Sequence, residues 1–190
     1  IDQLFLKNIY SNEANGIYSA SYRIVEYLLI FPTLLNKTFY PFLAKFYVED
    51  NGRFLFLYKK IFGMINLYSC LLIIIIYIFG EYIITLIYGV NFYDSINVLI
   101  KLSPIIYLYS ITLLFNSLIY IMNKEKMYMY RSLIGMVLNI CLNYIFIPLI
   151  GINGAIISTL ITYLFSSIIF QIFDKDLRPF ILLKFNYIFK

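Results

Sequence analysis

Histidine is missing from this chain. Its absence takes away the usual neutral-pH general base and the commonest metal ligand, so zinc hydrolases and histidine-based triads have nothing to stand on. No catalytic residue, no metal ligand set and no cofactor is expected. Cysteine is scarce: Cys70 and Cys141 lie far apart in separate apolar blocks, which excludes a disulfide framework or a CxxC site. Both are expected as buried, inert thiols. Charge is scarce as well, at 13% of residues. The net charge of +5 sits in short connectors rather than on a solvated basic face, so nucleic acid is not an expected partner. Tryptophan is absent while tyrosine reaches 20 and phenylalanine 18, a bias of AT-rich coding to which no function attaches.

What remains is apolar. Hydrophobic residues make up 62% of the 190, and the mean hydropathy is +0.83. They fall in blocks of roughly 20 or more, the length that crosses a hydrocarbon core of about 30 Å. The expected fold is all-α: a polytopic membrane helix bundle of about five transmembrane helices, within residues 16–48, 57–79, 96–122, 128–147 and 155–173. Residues 1–15 are expected to form the end of a preceding helix and an outer loop, residues 16–173 the bundle, and residues 174–190 a basic, aromatic tail along the membrane interface. Pro32 and Pro41 imply a kink or local unwinding in the first block. Pro148, Gly151 and Gly154 in PLIGING mark a helix stop and turn. The chain opens without methionine and without a cleavable signal pattern, which suggests a piece of a longer protein.

The basic residues give an orientation. Arg53, Lys59 and Lys60 follow the first block; Lys124, Lys126 and Arg131 follow the third; Lys175, Arg178, Lys184 and Lys190 are in the tail. The connectors 81–95 and 148–153 hold no lysine or arginine. This alternation places the C-terminal tail in the cytoplasm and the first residues outside.

Charges inside spans cost roughly 2.5 to 3.5 kcal/mol each on insertion scales, so they face a bundle interior, a water-filled cavity or an interface. Arg23, Glu26, Lys37 and Lys101 are such charges and are the candidate substrate-binding residues. Arg23 and Glu26, three apart, can pair on one helical face. Lys37, 14 residues beyond Arg23, falls near that face in a continuous helix. Two cations and one anion in a stripe suit a phosphate or pyrophosphate group, with snorkelling to an interface as the plainer role for Lys37. Lys101, just before Pro104, either faces a cavity or reaches the headgroups. Asn116, Asn139 and Asn143 suit interhelical hydrogen bonds or a water path. Gly151, Gly154, Ala155 and Ser158 are small enough to bring the last two spans close together.

Three stretches together resemble the C-terminal half of the polysaccharide flippases of the multidrug/oligosaccharidyl-lipid/polysaccharide exporter superfamily. They are IDQLFLKNIYSNEANGIYSASYRIVEYLLIFPTLLNKTFYPFLAKFY, LIYGVNFYDSINVLIKLSP and LNICLNYIFIPLIGINGAIISTLITY. The last matches the family's penultimate hairpin at Asn139, Asn143, Pro148, Gly151, Gly154 and Ala155. The resemblance implies a two-lobe transporter, with this chain as most of the second lobe and an N-terminal lobe as its partner. It implies translocation of an undecaprenyl-pyrophosphate-linked oligosaccharide repeat unit by alternating access in the bacterial cytoplasmic (inner) membrane, for O-antigen, lipopolysaccharide or capsule assembly. The implied partners are that lipid-linked oligosaccharide pyrophosphate and the surrounding membrane lipids, and the implied activity is not enzymatic. Two other readings stand beside it. A cation-coupled drug exporter of the same superfamily would favour an acidic, protonatable cavity, and a membrane polysaccharide polymerase or glycosyltransferase would place catalytic residues in a sizeable extramembrane loop.

Overall fold

The computed structural model describes residues 1–172, 174, 177, 179 and 180. Most of the expected tail lies outside them, including Lys175, Arg178, Lys184 and Lys190, as does Phe173 at the edge of the expected bundle. Among the described residues the chain is all-helical, and four helices are long and apolar enough to cross a membrane: Asn51–Tyr88, Ser95–Ile121, Glu125–Ile150 and Ile152–Ile172. The chain is a multi-pass membrane protein with a polytopic helical bundle fold.

The first apolar block accounts for the difference between these four and the expected five. A short helix α1 (Asp2–Phe5) continues as a π-helical turn over Leu6–Tyr10 and stops at Ser11, whose extended backbone reverses the helix. The Ser11 hydroxyl then accepts from the Ala14 N–H at 3.0 Å and caps α2 (Asn12–Leu28). Helical structure therefore begins ahead of Gly16. After Leu29 the chain resumes as α3 (Ile30–Glu49), so the block is two helices rather than one. Pro32 explains the break: it has no N–H to give the Leu28 carbonyl four residues back. The Tyr68 hydroxyl donates to that carbonyl instead, at 2.8 Å.

Asp50 caps the next helix by accepting from the Arg53 N–H at 3.0 Å. This α4 (Asn51–Tyr88) has 38 residues, roughly 57 Å at 1.5 Å per residue, and so overshoots the hydrocarbon core. It runs past the expected end at Phe79 and stops only at Gly89, where φ is +82°. After a short turn come α5 (Ser95–Leu102) and α6 (Pro104–Ile121), one span interrupted at Ser103, where Pro104 begins a new helix. The most apolar window of this span is 67% buried against 17% for α4, so α5 and α6 form the bundle's centre and α4 its apolar flank. That flank carries the run LLIIIIYIF, the stretch expected to face lipid.

The last two crossings are α7 (Glu125–Ile150) and α8 (Ile152–Leu164), the latter prolonged by a π-helical stretch, Phe165–Ile169, and a final turn, α9 (Phe170–Ile172). Pro148 was expected to stop α7 and lies inside it. The reversal comes at Gly151, whose φ of +58° only glycine adopts readily. A side chain at Gly154 would run into the Phe146 carbonyl, so α7 and α8 pack backbone to backbone, as the small residues led us to expect. A Cβ on Gly151 would lie 2.7 Å from the Tyr10 ring, which shows how tightly the end of the first helical segment rests on this turn. At the opposite end Lys124 pairs with Asp174 at 2.7 Å, joining the α6–α7 turn to the chain beyond α9.

Two apolar cores follow from this arrangement. One, around Val25, Leu99, Ile106 and Ala155, lies toward the Gly151 end. The other, around Leu43, Phe54, Phe115 and Leu118, lies toward the Lys124 end. Cys70 and Cys141 belong to neither: both thiols are free and exposed, Cys70 lining an apolar groove between α4, α6 and α8 and Cys141 on α7. Their expected burial fails because lying within an apolar block of sequence means facing lipid as readily as facing protein.

Candidate functional site

The helix break at Leu29 decides where the four candidate charges go. Glu26 and Lys37 line one cavity of about 460 Å³, between α2, α3 and the tyrosines Tyr109 and Tyr163. Arg23 is exposed and outside that lining, because the break spoils the 14-residue register that would have aligned it with Lys37. Arg23 and Glu26 form no ion pair among the described residues. Lys101 is exposed and donates to the Asn153 side chain at 2.7 Å, which ties α5 to the start of α8, and it does not line the cavity that holds Glu26 and Lys37.

A second cavity, about 500 Å³, adjoins the first. Tyr22, Tyr109 and Tyr163 line both, so the two form one cleft with an aromatic middle. Tyr109 and Tyr163 meet edge to face at 5.9 Å. The walls of the second cavity are polar for a protein this apolar, and its deepest charge is Arg131, only 3% exposed. Arg131 was counted from sequence as a connector charge; it sits inside α7 instead. Its Nη2 donates to Asn116 on α6, and its guanidinium lies 5.3 Å from the centre of the Tyr128 ring. Among the described residues its Nη1 is buried without a partner. A buried guanidinium with one donor unspent is a ready receptor for an anion that can take a forked hydrogen bond.

The same cavity holds an acid that sequence reasoning left in the terminal segment. Asp2 accepts from three side chains: the Tyr18 hydroxyl at 2.9 Å, the Thr159 hydroxyl at 2.6 Å and the Asn143 amide at 2.6 Å. These come from α2, α8 and α7, so Asp2 knots α1 to the rest of the bundle. Asn143 also donates to Asn139 at 3.1 Å. Asn116 and Asn143 thus bond between helices, and Asn116 and Asn139 line the cavity.

A signal for this site was present in the sequence. Arg131, Gly135, Asn139 and Asn143 recur every four residues, and these are the polar or small positions that α7 buries. A strict four-residue spacing follows one helix face closely enough to aim the whole row into the bundle. Asp2 offered no such pattern, since its partners are 16 to 157 residues away.

A family model described as polysaccharide biosynthesis protein matches residues 1–97. No curated protein and no solved structure matches the chain.

Proposed function

The chain belongs to the polysaccharide biosynthesis protein family, and from that premise we propose that it translocates a lipid-linked oligosaccharide repeat unit across the cytoplasmic membrane during surface polysaccharide assembly. The observation that carries this reading is the cleft. Arg131, with its unspent Nη1, stands at one end, Lys37 at the other, and Tyr22, Tyr109 and Tyr163 between them. Cations at the ends suit the pyrophosphate of a polyprenyl carrier, and tyrosine faces and hydroxyls suit sugar rings, which need both apolar contact and hydrogen bonding.

In this reading the protein performs no bond chemistry. A second, N-terminal lobe closes the open side of the cleft, the two lobes alternate access, and the C-terminus lies in the cytoplasm with the basic connectors. Glu26 beside Lys37 keeps the entrance near neutral, which leaves Arg131 as the strongest attraction for an anion.

Deleting the complete gene tests the proposal. Surface polysaccharide is expected to disappear while lipid-linked repeat units accumulate on the cytoplasmic side of the membrane. Unchanged polysaccharide and unchanged precursors would overturn it and direct attention to drug efflux. Loss of polysaccharide without formation of complete repeat units would point to an assembly enzyme.

A further inference from the structure

Several hydroxyls inside these helices are spent on their own backbone. Ser110, Thr112, Ser158 and Thr162 each donate to the carbonyl four residues back, at 2.6 to 2.8 Å, the local bond that hides a hydroxyl within an apolar helix. Ser132 and Ser166 do not. Neither has a hydrogen-bond partner among the described residues, and both line the deeper cavity. Ser166 lies in the π-helical stretch Phe165–Ile169, where the four-residue register that lets Thr162 bond back is lost.

Gly135 faces Ser166 across the gap between α7 and the end of α8. It is buried in the middle of a 26-residue helix, a place where glycine is less stable than alanine. Packing does not demand the glycine: a Cβ there would lie 3.4 Å from the Ser166 hydroxyl and 3.9 Å from the Thr162 methyl, ordinary contact distances, unlike the collision with backbone at Gly154. The missing side chain instead provides space, a notch floored by Gly135 and edged by Ser132, Thr162 and Ser166. One turn of α7, about 6 Å, separates Gly135 from Arg131 on the same face. One turn further is Asn139, whose Oδ1 is taken by Asn143 at 3.1 Å and whose amide nitrogen has no partner among the described residues.

We propose that this notch is a sugar subsite, holding the ring that the pyrophosphate carries while Arg131 holds the phosphate. The proposal rests on the translocation reading above and names the part of the substrate that the protein inspects. Hydroxyls that both donate and accept match those of a sugar ring, and the Asn139 amide adds a donor. A second phosphate would need a second cation, and among the described residues no lysine and no arginine other than Arg131 lines this cavity. An acyl chain would leave Ser132, Ser166 and the Asn139 amide unpaired. A sugar bonded to the phosphate lies next to it, and the bare position nearest Arg131 on this face is Gly135. Gly135 therefore limits the size of the sugar that fits, and Ser166 and Ser132 orient it.

Affinity measurements on the purified protein test the subsite with two kinds of probe: a short-chain polyprenyl pyrophosphate without sugar, and the same lipid bearing one glucose, galactose or N-acetylglucosamine. The native protein is expected to bind at least one sugar-bearing probe about tenfold more tightly than the sugar-free one, the equivalent of one or two hydrogen bonds. Gly135→Val should abolish that gain and Ser166→Ala reduce it by at least about threefold, with the sugar-free affinity unchanged in both. Ser166→Ala carries the test if Gly135→Val does not fold. No gain from any of the three sugars, or a gain that survives both substitutions, would overturn the subsite and leave the anion site at Arg131 standing. Failure of the native protein to bind any probe, the sugar-free one included, would overturn the translocation reading and the subsite with it.

Discussion

The two ends of the deeper cavity hold opposite charges that the fold treats in opposite ways. Asp2 is saturated: three donors from three helices converge on its carboxylate. Arg131 is provided for only in part, with Asn116 and the Tyr128 ring as partners and Nη1 left over. Breaking a fully bonded buried group exposes every partner to the loss, whereas removing an incompletely bonded one relieves a cost already present. The acid therefore belongs to the architecture of the bundle and the arginine to whatever enters the cleft.

Substitutions at the two ends should separate along that line. Arg131→Met is expected to cut surface polysaccharide about ten- to a hundredfold, the equivalent of one lost charge-assisted hydrogen bond of about 1.5–3 kcal/mol, with membrane abundance unchanged. Arg131→Lys should fall between, because a lysine keeps the charge and loses the fork. Quantifying polysaccharide against protein level in complemented cells checks both.

Asp2→Ala should do the reverse and act first on stability. It strands the Tyr18, Asn143 and Thr159 donors and is expected to cost about 1–3 kcal/mol, read as a lower Tm in detergent. A Tm unchanged by Asp2→Ala and lowered by Arg131→Met would invert the comparison.

Lys37→Ala comes next. The side chain is exposed at the shallow entrance and shares it with Glu26, so export should fall by no more than about fivefold, as for a screened surface charge. Arg23→Ala, outside both cavities, should leave export and stability within about 0.5 kcal/mol of the native protein.

Much of the fold was legible because transmembrane helices announce themselves by length and apolarity. The spans around α6, α7 and α8 fall close to their expected places, and the glycines at 151 and 154 turn and join α7 and α8 as their size requires. The first block was harder, since Pro32 breaks the helix and a tyrosine 40 residues away takes up the freed carbonyl. The site was legible only in part, and the reason is similar. Arg23 and Lys37 stand out by charge, but their common face depended on a continuous helix that Leu29 interrupts. Arg131 was masked by its closeness to Lys124 and Lys126, which look like one basic connector until α7 starts at Glu125 and carries Arg131 inward. Asp2 acquires meaning only through α7 and α8, more than a hundred residues further on.

The most direct measurement is the affinity of the purified protein for a short-chain polyprenyl pyrophosphate, taken on the native chain and on Arg131→Met and Arg23→Ala. At least about tenfold weaker binding in Arg131→Met, with Arg23→Ala like the native protein, is the result predicted for an anion held on the free Nη1. Equal affinity in all three would contradict it and remove Arg131 from the binding site.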